Sequence, residues 1–441
     1  MGPAPVGCLP DRGDARPRAP AALRTRSAGR HGLGGERPAA PARTDAARYP
    51  AVVLTVATGV DRLGTEGAFT VLARALELER TGREVVHLEI GEPDFATPEH
   101  VVEAAVQALR AGQTHYTPTL GLGELRAAAA AYLGAGRGVS IGPERVIIAN
   151  GAKPIVLFTI LACANAGDEV IYPDPGFPIY ESVISWAGAV PVALPLREER
   201  GFSFDPEELR SALTPRTRLV ILNSPHNPTG SVIPHADLLA AAEMLAETDA
   251  WILSDEVYAR IVYEQDCPSL GSLPGMLDRT VIVDSCSKTF AMTGWRCGFA
   301  SVPPPLIVPM ERLLVNSTSC VPAFVQLGAV AALTGPMDAV DDMVSEFSLR
   351  RKLLIDGLNA LPGVSCAAPS GAFYAFPNVS GTGFSGEDLA TRLLETAGVA
   401  TVPGSAFGRE ASAHLRLSYA NSRENLGLAL QRIGALLEHA V

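Results

Sequence analysis

Lys288 is the residue of this chain best suited to covalent chemistry. The 441-residue sequence has only three lysines among its 36 basic residues, and Lys288 lies in the run DSCSKTFAMTGWR, close to serines and to Arg296. A lysine amine can lose its proton and attack a carbonyl carbon, whereas an arginine guanidinium stays protonated. Serine hydroxyls and an arginine are suitable ligands for a phosphate. The run therefore predicts a Schiff-base lysine beside a phosphate site, the two attachments that pyridoxal phosphate requires.

A second candidate segment is the loop SPHNPTG at residues 224–230, which follows a predicted strand at 219–222. In open α/β sheets, ligands bind at loops that follow the carboxyl ends of strands. Asn227 lies in this proline-rich loop and can offer its side-chain amide to a phenolic oxygen. A plain turn remains the alternative, because proline and glycine also favour turns.

Two further segments carry a charge that a cofactor or substrate could use. Asp255 and Tyr258, in SDEVY, follow a predicted strand at 251–253, and the carboxylate could pair with a pyridinium nitrogen. Arg416 lies in the alternating pattern HLRLSY and could clamp a carboxylate with two hydrogen bonds. Taken singly, Asp255 could instead cap a helix, and Arg416 could form a structural ion pair.

The elements that must position these residues are short apolar strands alternating with helices. This order predicts an α/β fold: a mostly parallel sheet with helices on both faces, followed by a smaller α+β unit over 372–441. The predicted strands are 85–90, 145–149, 169–172, 190–193, 219–222, 251–253 and 281–283, and the predicted helices are 68–79, 98–109, 154–164, 236–247, 310–333 and 343–361.

Charge and cysteine content exclude several classes of protein. Residues 1–50 carry nine Arg and four acidic residues, whereas the rest carries 27 basic and 43 acidic residues, a formal charge of −16. Such an acidic body is a poor nucleic-acid binder. The apolar runs are too short to span a membrane. Seven scattered cysteines without CxxC spacing predict neither a disulfide framework nor a metal site, and favour a cytoplasmic protein with reduced thiols.

The first 50 residues differ in composition from the rest of the chain. They consist mostly of Ala, Arg, Pro and Gly, with little apolar periodicity. Such a composition cannot bury enough apolar surface to form a core. We therefore predict a disordered extension over residues 1–52.

Seven motifs occur in the order found in one enzyme family: IGEPDF, YTPTLG, NGAK, SPHNPTG, SDEVY, SCSKTFAMTGWR and LRLSYA. From about Arg62 to its end, the chain resembles the class I aminotransferases of the fold-type I pyridoxal-phosphate enzymes, close to the bacterial aspartate aminotransferase-like branch. The resemblance implies a large cofactor-binding domain at 98–335. It also implies a small domain built from both ends of the chain, at 53–97 and 336–441.

The resemblance also implies a role for each motif residue. Lys288 would carry the cofactor and move the substrate proton, Asp255 would pair with the ring nitrogen, and Phe177 would stack on the ring. The remaining cofactor ligands would be Asn227 and Tyr258 at the ring oxygen, with Gly151, Ala152, Ser285 and Arg296 at the phosphate. Tyr116 would reach the phosphate in a neighbouring subunit, which implies a homodimer.

The implied substrates are an L-amino acid and a 2-oxo acid. Gly91 and Arg416 would hold the α-carboxylate, and Asn227 would also contact the substrate. Lys153, in NGAK, would meet the side-chain carboxylate of an acidic donor such as aspartate; an ion pair with a nearby acid is the alternative. A carbon–sulfur lyase or a natural-product enzyme on the same scaffold remains a second possibility. A transcriptional regulator is disfavoured because residues 1–50 are too rich in proline and glycine for a DNA-binding helical unit.

Overall fold

The computed structural model describes residues 55–439, so the predicted extension at 1–52 lies outside the described residues. Thirteen strands lie within the described range. They are β1 (Val86–His87), β2 (Val146–Ala149), β3 (Glu169–Asp174), β4 (Val190–Arg197), β5 (Ser203–Phe204), β6 (Thr217–Asn223), β7 (Trp251–Asp255), β8 (Thr280–Ser285), β9 (Gly298–Ser301), β10 (Tyr374–Ala375), β11 (Val399–Ala400), β12 (Val402–Pro403) and β13 (Leu415–Ser418).

Thirteen α-helices lie between and around these strands in the same described range. They are α1 (Gly67–Arg80), α2 (Glu99–Arg110), α3 (Gly123–Arg137), α4 (Ala152–Cys163), α5 (Ile179–Ala187), α6 (Pro206–Ala212), α7 (His235–Ala246), α8 (Cys286–Thr289), α9 (Pro304–Val315), α10 (Ala323–Thr334), α11 (Asp338–Asn359), α12 (Gly386–Arg392) and α13 (Arg423–Glu438). A π-helical turn continues α12 over Leu393–Ala397.

The largest sheet has eight strands in the order β2-β9-β8-β7-β6-β3-β4-β5. The inner pairs β8–β7, β7–β6, β6–β3 and β3–β4 are parallel, whereas β9 is antiparallel to both of its neighbours and β5 is antiparallel to β4. The prediction of a mostly parallel sheet is therefore confirmed. Because β2 and β8 are both antiparallel to β9, the carboxyl end of β2 lies at the same sheet edge as that of β8.

Helices cover both faces of this sheet, as the sequence predicted. Successive side chains of a strand point to opposite faces. Along β6, Leu219 and Ile221 belong to one core cluster, whereas Val220 and Leu222 belong to another. The first cluster contains residues of α4, α5 and α9, and the second contains residues of α6 and α7.

Two small sheets are built largely from the C-terminal part of the chain. Strands β10, β13 and β12 form an antiparallel sheet, and β1 pairs in parallel with β11. The second pairing joins a strand before α2 to one near the C-terminus. It supports the proposed small domain from both chain ends, whose boundaries at 97 and 336 stay predictions.

The predicted single helix at 310–333 is wrong, because two helices occupy this region. α9 ends at Val315, and α10 begins after Pro322, its N-terminal cap. Proline lacks an N–H and its ring clashes with the preceding turn, so Pro322 cannot continue a helix from the residues before it. The predicted strand at 85–90 is also shorter, since pairing ends at His87.

Within residues 55–439, no single helix has the length and apolar character to cross a membrane; α10 and α11 meet those two criteria only when taken together, across a bend of 75°.

Candidate active site

The candidate site lies at the sheet edge where β2, β3, β6, β7 and β8 end. Each strand is followed by a residue that the sequence identified, because the chain leaves the sheet there and turns toward the next helix. These residues are Gly151 after β2, Phe177 after β3, Asn227 after β6, Asp255 at the end of β7 and Ser285 at the end of β8. The parallel topology thus brings together residues that are far apart in the sequence.

A cavity of about 550 Å³ lies at this edge. Most of the sequence-predicted site residues line it: Gly91, Ala152, Lys153, Phe177, Asn227, Asp255, Tyr258, Ser285, Lys288, Arg296 and Arg416. Gly151 lies beside Arg296. Tyr116 is elsewhere: its side chain is 90% exposed and does not line the cavity of its own chain.

Lys288 projects from α8, a single turn that follows β8 directly. Ser285 caps this turn, because its Oγ accepts a hydrogen bond from the Ser287 amide over 3.3 Å. The Lys288 amine donates to the Gly91 carbonyl over 2.6 Å. Burial lowers the pKa of Lys288 from its usual 10.5 to about 8, although the nearby Glu92 carboxylate opposes the shift. A substantial fraction of the amine is therefore unprotonated in mildly alkaline solution, as a nucleophile or base requires.

Gly151, Ala152, Ser285 and Arg296 gather donors suited to an anion. Gly151 has φ +98°, in the region that favours glycine, and a Cβ there would overlap the Arg296 guanidinium. Arg296 donates to the Thr293 carbonyl over 2.8 Å, which fixes the guanidinium beside the start of α4. The first backbone N–H groups of a helix have no partner within it. An arginine and a helix start together favour a phosphate here.

Asp255 is a buried carboxylate without an ion-pair partner among residues 55–439. Its Oδ2 accepts a hydrogen bond from the Tyr180 hydroxyl over 2.6 Å, and its Oδ1 lies 3.4 Å from the Val257 amide. Burial raises the pKa of Asp255 from 3.8 to about 6, although the hydrogen bond from Tyr180 opposes the shift. A cation that entered the cavity beside Asp255 would remove this desolvation cost.

The residues next to Asp255 and Ser285 are held by one buried arginine. Arg137 forms ion pairs with Glu256 over 2.8 Å and with Asp284 over 2.7 Å. Glu256 also accepts hydrogen bonds from two serines. Glu256 and Asp284 are therefore satisfied structural carboxylates, and Asp255 is the acid on these two strands that remains available to a ligand.

Arg416 presents a buried cation to the same cavity. Its guanidinium donates to Asn227 Oδ1 over 3.1 Å and to the Glu89 carbonyl, and its Nε has no hydrogen-bond partner among the described residues. It lies 4.7 Å from the centre of the Tyr374 ring. The atoms it contacts are an amide oxygen, a backbone carbonyl and an aromatic ring, and the Glu89 carboxylate pairs with His87 instead, so Arg416 remains free to bind a carboxylate.

Two tyrosine hydroxyls complete the wall near Gly91. The hydroxyls of Tyr258 and Tyr374 lie 2.7 Å apart. A Cβ at Gly91 would overlap the Tyr374 hydroxyl, so this position requires glycine. Gly91 thus lies between the Tyr374 hydroxyl and the Lys288 amine, which donates a hydrogen bond to the Gly91 carbonyl.

Lys153 lines the cavity from the first turn of α4 and is already paired. Its ammonium forms an ion pair with Glu66, the residue just before α1, and lies 5.5 Å from the centre of the Phe177 ring. The pair corresponds to the alternative named in the sequence analysis. An acidic substrate would therefore meet a lysine that holds another carboxylate.

The comparisons with known proteins agree with this geometry. A family model for aminotransferase class I and II matches residues 83–433. Aspartate aminotransferase of Pyrococcus horikoshii is 42% identical over 357 residues, which cover 80% of this chain and 91% of that protein. The chain belongs to the class I and II aminotransferases.

Other relatives of this aminotransferase are also named as transaminases. An arginine–pyruvate transaminase of Pseudomonas aeruginosa is 38% identical over 375 residues, covering 84% of this chain and 95% of that protein. The structure of Thermus thermophilus aspartate aminotransferase with maleate is 40% identical, with a TM-score of 0.84, and the match covers 87% of this chain and 100% of that chain. The protein is therefore a pyridoxal-phosphate-dependent transaminase, and these relatives do not favour the lyase alternative.

The cavity fits pyridoxal phosphate on the chemistry of its donors. Asp255 is a buried anion without a cationic partner among the described residues, as expected for a residue that pairs with a pyridinium nitrogen. Gly151 leaves space beside Arg296 for a phosphate. Lys288 supplies the amine. When bound, the cofactor supplies an electron sink for the substrate α-carbon.

Sequence reasoning did not assign Glu66, Tyr180 or Tyr374 to the site. Tyr180 had a usable signal, because it follows Phe177 by three residues, about one helical turn. Glu66 and Tyr374 had none, since they are far apart in the sequence and reach the cavity only through the fold.

Proposed function

We propose that this transaminase is a homodimer in which Lys288, Asp255 and Arg416 bind and convert an L-amino acid, followed by a 2-oxo acid. One observation carries the assignment of roles: a buried anion, Asp255, and a buried cation, Arg416, line one cavity with Lys288, and neither has an ion-pair partner among the described residues. Such unpaired buried charges are costly unless a ligand of opposite charge binds beside them.

Asp255, Arg416 and Lys288 have different roles in the proposed reaction. Asp255 holds the cofactor ring nitrogen protonated. Arg416 binds the substrate α-carboxylate and thereby orients the α-carbon toward Lys288. The Lys288 amine takes the proton from that carbon and returns it on the cofactor side, which is general base catalysis by an amine whose pKa lies near 8.

Asn227 and Tyr258 set the orientation of the ring in this proposal. Both are buried residues that line the cavity; Asn227 Oδ1 accepts a hydrogen bond from Arg416, and the Tyr258 hydroxyl lies 2.7 Å from that of Tyr374. Phe177 packs edge-on against Tyr180, with ring centres 5.8 Å apart, and offers a flat face to the ring. Gly151, Ala152, Ser285 and Arg296 hold the phosphate.

The proposed dimer rests on Tyr116. A tyrosine with a 90% exposed side chain leaves a large amphipathic ring in water. Burial of this ring against the phosphate end of the partner's cavity would explain why a tyrosine occupies this exposed position. We also propose a cytoplasmic location, because the cysteine spacing favours reduced thiols.

Complementation between two inactive variants tests the shared site. Lys288→Ala removes the amine and Tyr116→Ala removes the ring. If Tyr116 completes the partner's site, a mixed dimer contains one intact site, with Lys288 from one chain and Tyr116 from the other. Subunit exchange should then restore activity above that of either variant. Mixed dimers, verified by mass, that show no gain would contradict the shared site.

The amino-group transfer is tested with one amino acid and no acceptor. We expect one equivalent of 2-oxo acid per site and no ammonia. The original cofactor absorbance should return when 2-oxoglutarate is added. Ammonia released over many turnovers would contradict transamination.

Lys153 and the relatives named as aspartate aminotransferases make an acidic donor such as aspartate one candidate substrate. A distal carboxylate would gain a charge-assisted hydrogen bond with Lys153. It would first have to displace the Glu66 carboxylate, which holds the same ammonium.

A further inference from the structure

Glu66 places a carboxylate inside the substrate cavity. It directly precedes α1, lines the cavity, and pairs through Oε1 with the Lys153 ammonium. The side chain of Glu66 is 23% exposed and that of Lys153 is 41% exposed, so both reach the cavity from its open side. The ion pair therefore lies where a substrate side chain would enter.

The pair changes the charge that a substrate side chain meets. Lys153 alone would present a positive charge, whereas the pair is neutral. Glu92 adds a second carboxylate to the lining; it accepts a hydrogen bond from the Thr293 hydroxyl and lies near the Lys288 amine. A donor with a negatively charged side chain would thus approach a neutral ion pair and one further carboxylate, that of Glu92.

We propose that Glu66 is a specificity-determining residue that occupies Lys153 in the manner of a substrate carboxylate and favours donors with neutral side chains over acidic ones. The inference rests on the proposed function and deepens it, because it names the substrate class of the same site. An acidic donor must displace Glu66, and the displaced carboxylate stays in the cavity and repels the incoming one.

The size of the effect follows from the exposure of the pair. A charge-assisted hydrogen bond in a closed site changes binding by about ten- to a hundredfold. Ion pairs that are partly open to water are screened and contribute less. We therefore expect an effect near the lower end, about tenfold on the preference between an acidic and a neutral donor.

The test replaces one oxygen of Glu66. Glu66→Gln keeps the shape and removes the charge, which frees Lys153. The second-order rate constant of the first half-reaction, followed through the cofactor absorbance, is measured with aspartate and with alanine. The aspartate-to-alanine ratio should rise about tenfold, while the alanine rate changes less than about threefold.

A matched control makes the same substitution within α1, the helix that Glu66 precedes. Glu77→Gln alters an exposed carboxylate that pairs with Arg74 and does not line the cavity. Its ratio should equal that of the wild type. Lys153→Gln should move the ratio in the other direction, about tenfold down, because Glu66 then repels an acidic donor without opposition.

Equilibrium binding provides a readout that does not depend on catalysis. Maleate carries two carboxylates and has no amino group, whereas butyrate carries one carboxylate. Glu66→Gln should tighten maleate binding about tenfold and leave butyrate binding nearly unchanged. Equal changes for both ligands, or an unchanged aspartate-to-alanine ratio, would overturn the role of Glu66. Failure of the wild type to transfer an amino group from any L-amino acid would instead contradict the proposed function.

Discussion

The Tyr180 hydroxyl donates a hydrogen bond to Asp255 Oδ2 over 2.6 Å, and this neutral donor stands where a buried carboxylate would ordinarily have a cation. A hydroxyl satisfies one lone pair but does not neutralise the charge. Asp255 is thereby held in position without being paired. The arrangement favours binding of a protonated ring at a cost to the stability of the protein without its cofactor.

That cost gives a prediction for the apoprotein. The folded protein raises the pKa of Asp255 from 3.8 to about 6, so the charged carboxylate destabilises the folded state fully above about pH 6 and progressively less toward pH 4. Asp255→Asn should therefore raise the free energy of unfolding at pH 7 by about 1–3 kcal/mol. The gain should shrink by about half at pH 5.

Denaturant unfolding of the two apoproteins at both pH values measures this difference. The same substitution should abolish turnover, because the ring nitrogen loses its anionic partner. A variant that is less stable than the wild type at pH 7, or a difference that does not vary with pH, would show that Asp255 carries no unpaired charge.

The Lys288 amine should titrate well below an ordinary lysine. Burial holds its pKa at about 8, whereas the hydrogen bond to Asp356 raises the pKa of the exposed Lys352 above 10.5. Peptide-resolved acetylation of the apoprotein should give a midpoint near pH 8 for Lys288, with Lys352 as the internal control at higher pH. Coincident midpoints would contradict the lowered pKa.

Gly151 should be required for the phosphate end of the site. A side chain there is disfavoured by the φ of +98° and would overlap Arg296. Gly151→Ala should weaken cofactor binding at least about tenfold, the size expected when a fixed backbone position is strained by 1–3 kcal/mol. Gly427→Ala is the control, since a Cβ at Gly427 meets no neighbour within 4 Å. Equal affinity for the cofactor in both variants would remove Gly151 from the site.

Arg416→Lys should raise KM for every donor by a similar factor. Lysine keeps the charge and loses the planar pair of donors that binds a carboxylate with two hydrogen bonds. We expect a factor of about ten or more for aspartate and alanine alike. A change confined to aspartate would place Arg416 at the side chain of the donor instead of at its α-carboxylate.

The sequence predicted the sheet and most of the site because the motifs follow strands. Asp255 and Ser285 end β7 and β8, and parallel strands carry their ends to one edge, so the predicted strands place these residues near each other. α1, α4 and α7 were predicted within a few residues of their bounds, since their apolar residues recur at helical spacing.

The parts that sequence missed depend on contacts across the fold. The pairing of Lys153 with Glu66 joins residues 87 positions apart, and that of Tyr258 with Tyr374 joins residues 116 apart. Neither pair has a spacing rule that could predict it. The break between α9 and α10 did have a local signal, Pro322. It was missed in the sequence analysis because the apolar pattern of the two helices looks continuous.

The attachment of the cofactor to Lys288 is the central claim, and borohydride reduction of the purified holoenzyme followed by peptide mapping tests it most directly. We expect reduction to attach the cofactor permanently to the peptide that contains Lys288. Chain cleavage separates this peptide from those with Lys153 and Lys352, which serve as internal controls. Cofactor fixed at Lys153 or Lys352, or no fixed cofactor on a yellow protein, would contradict the account.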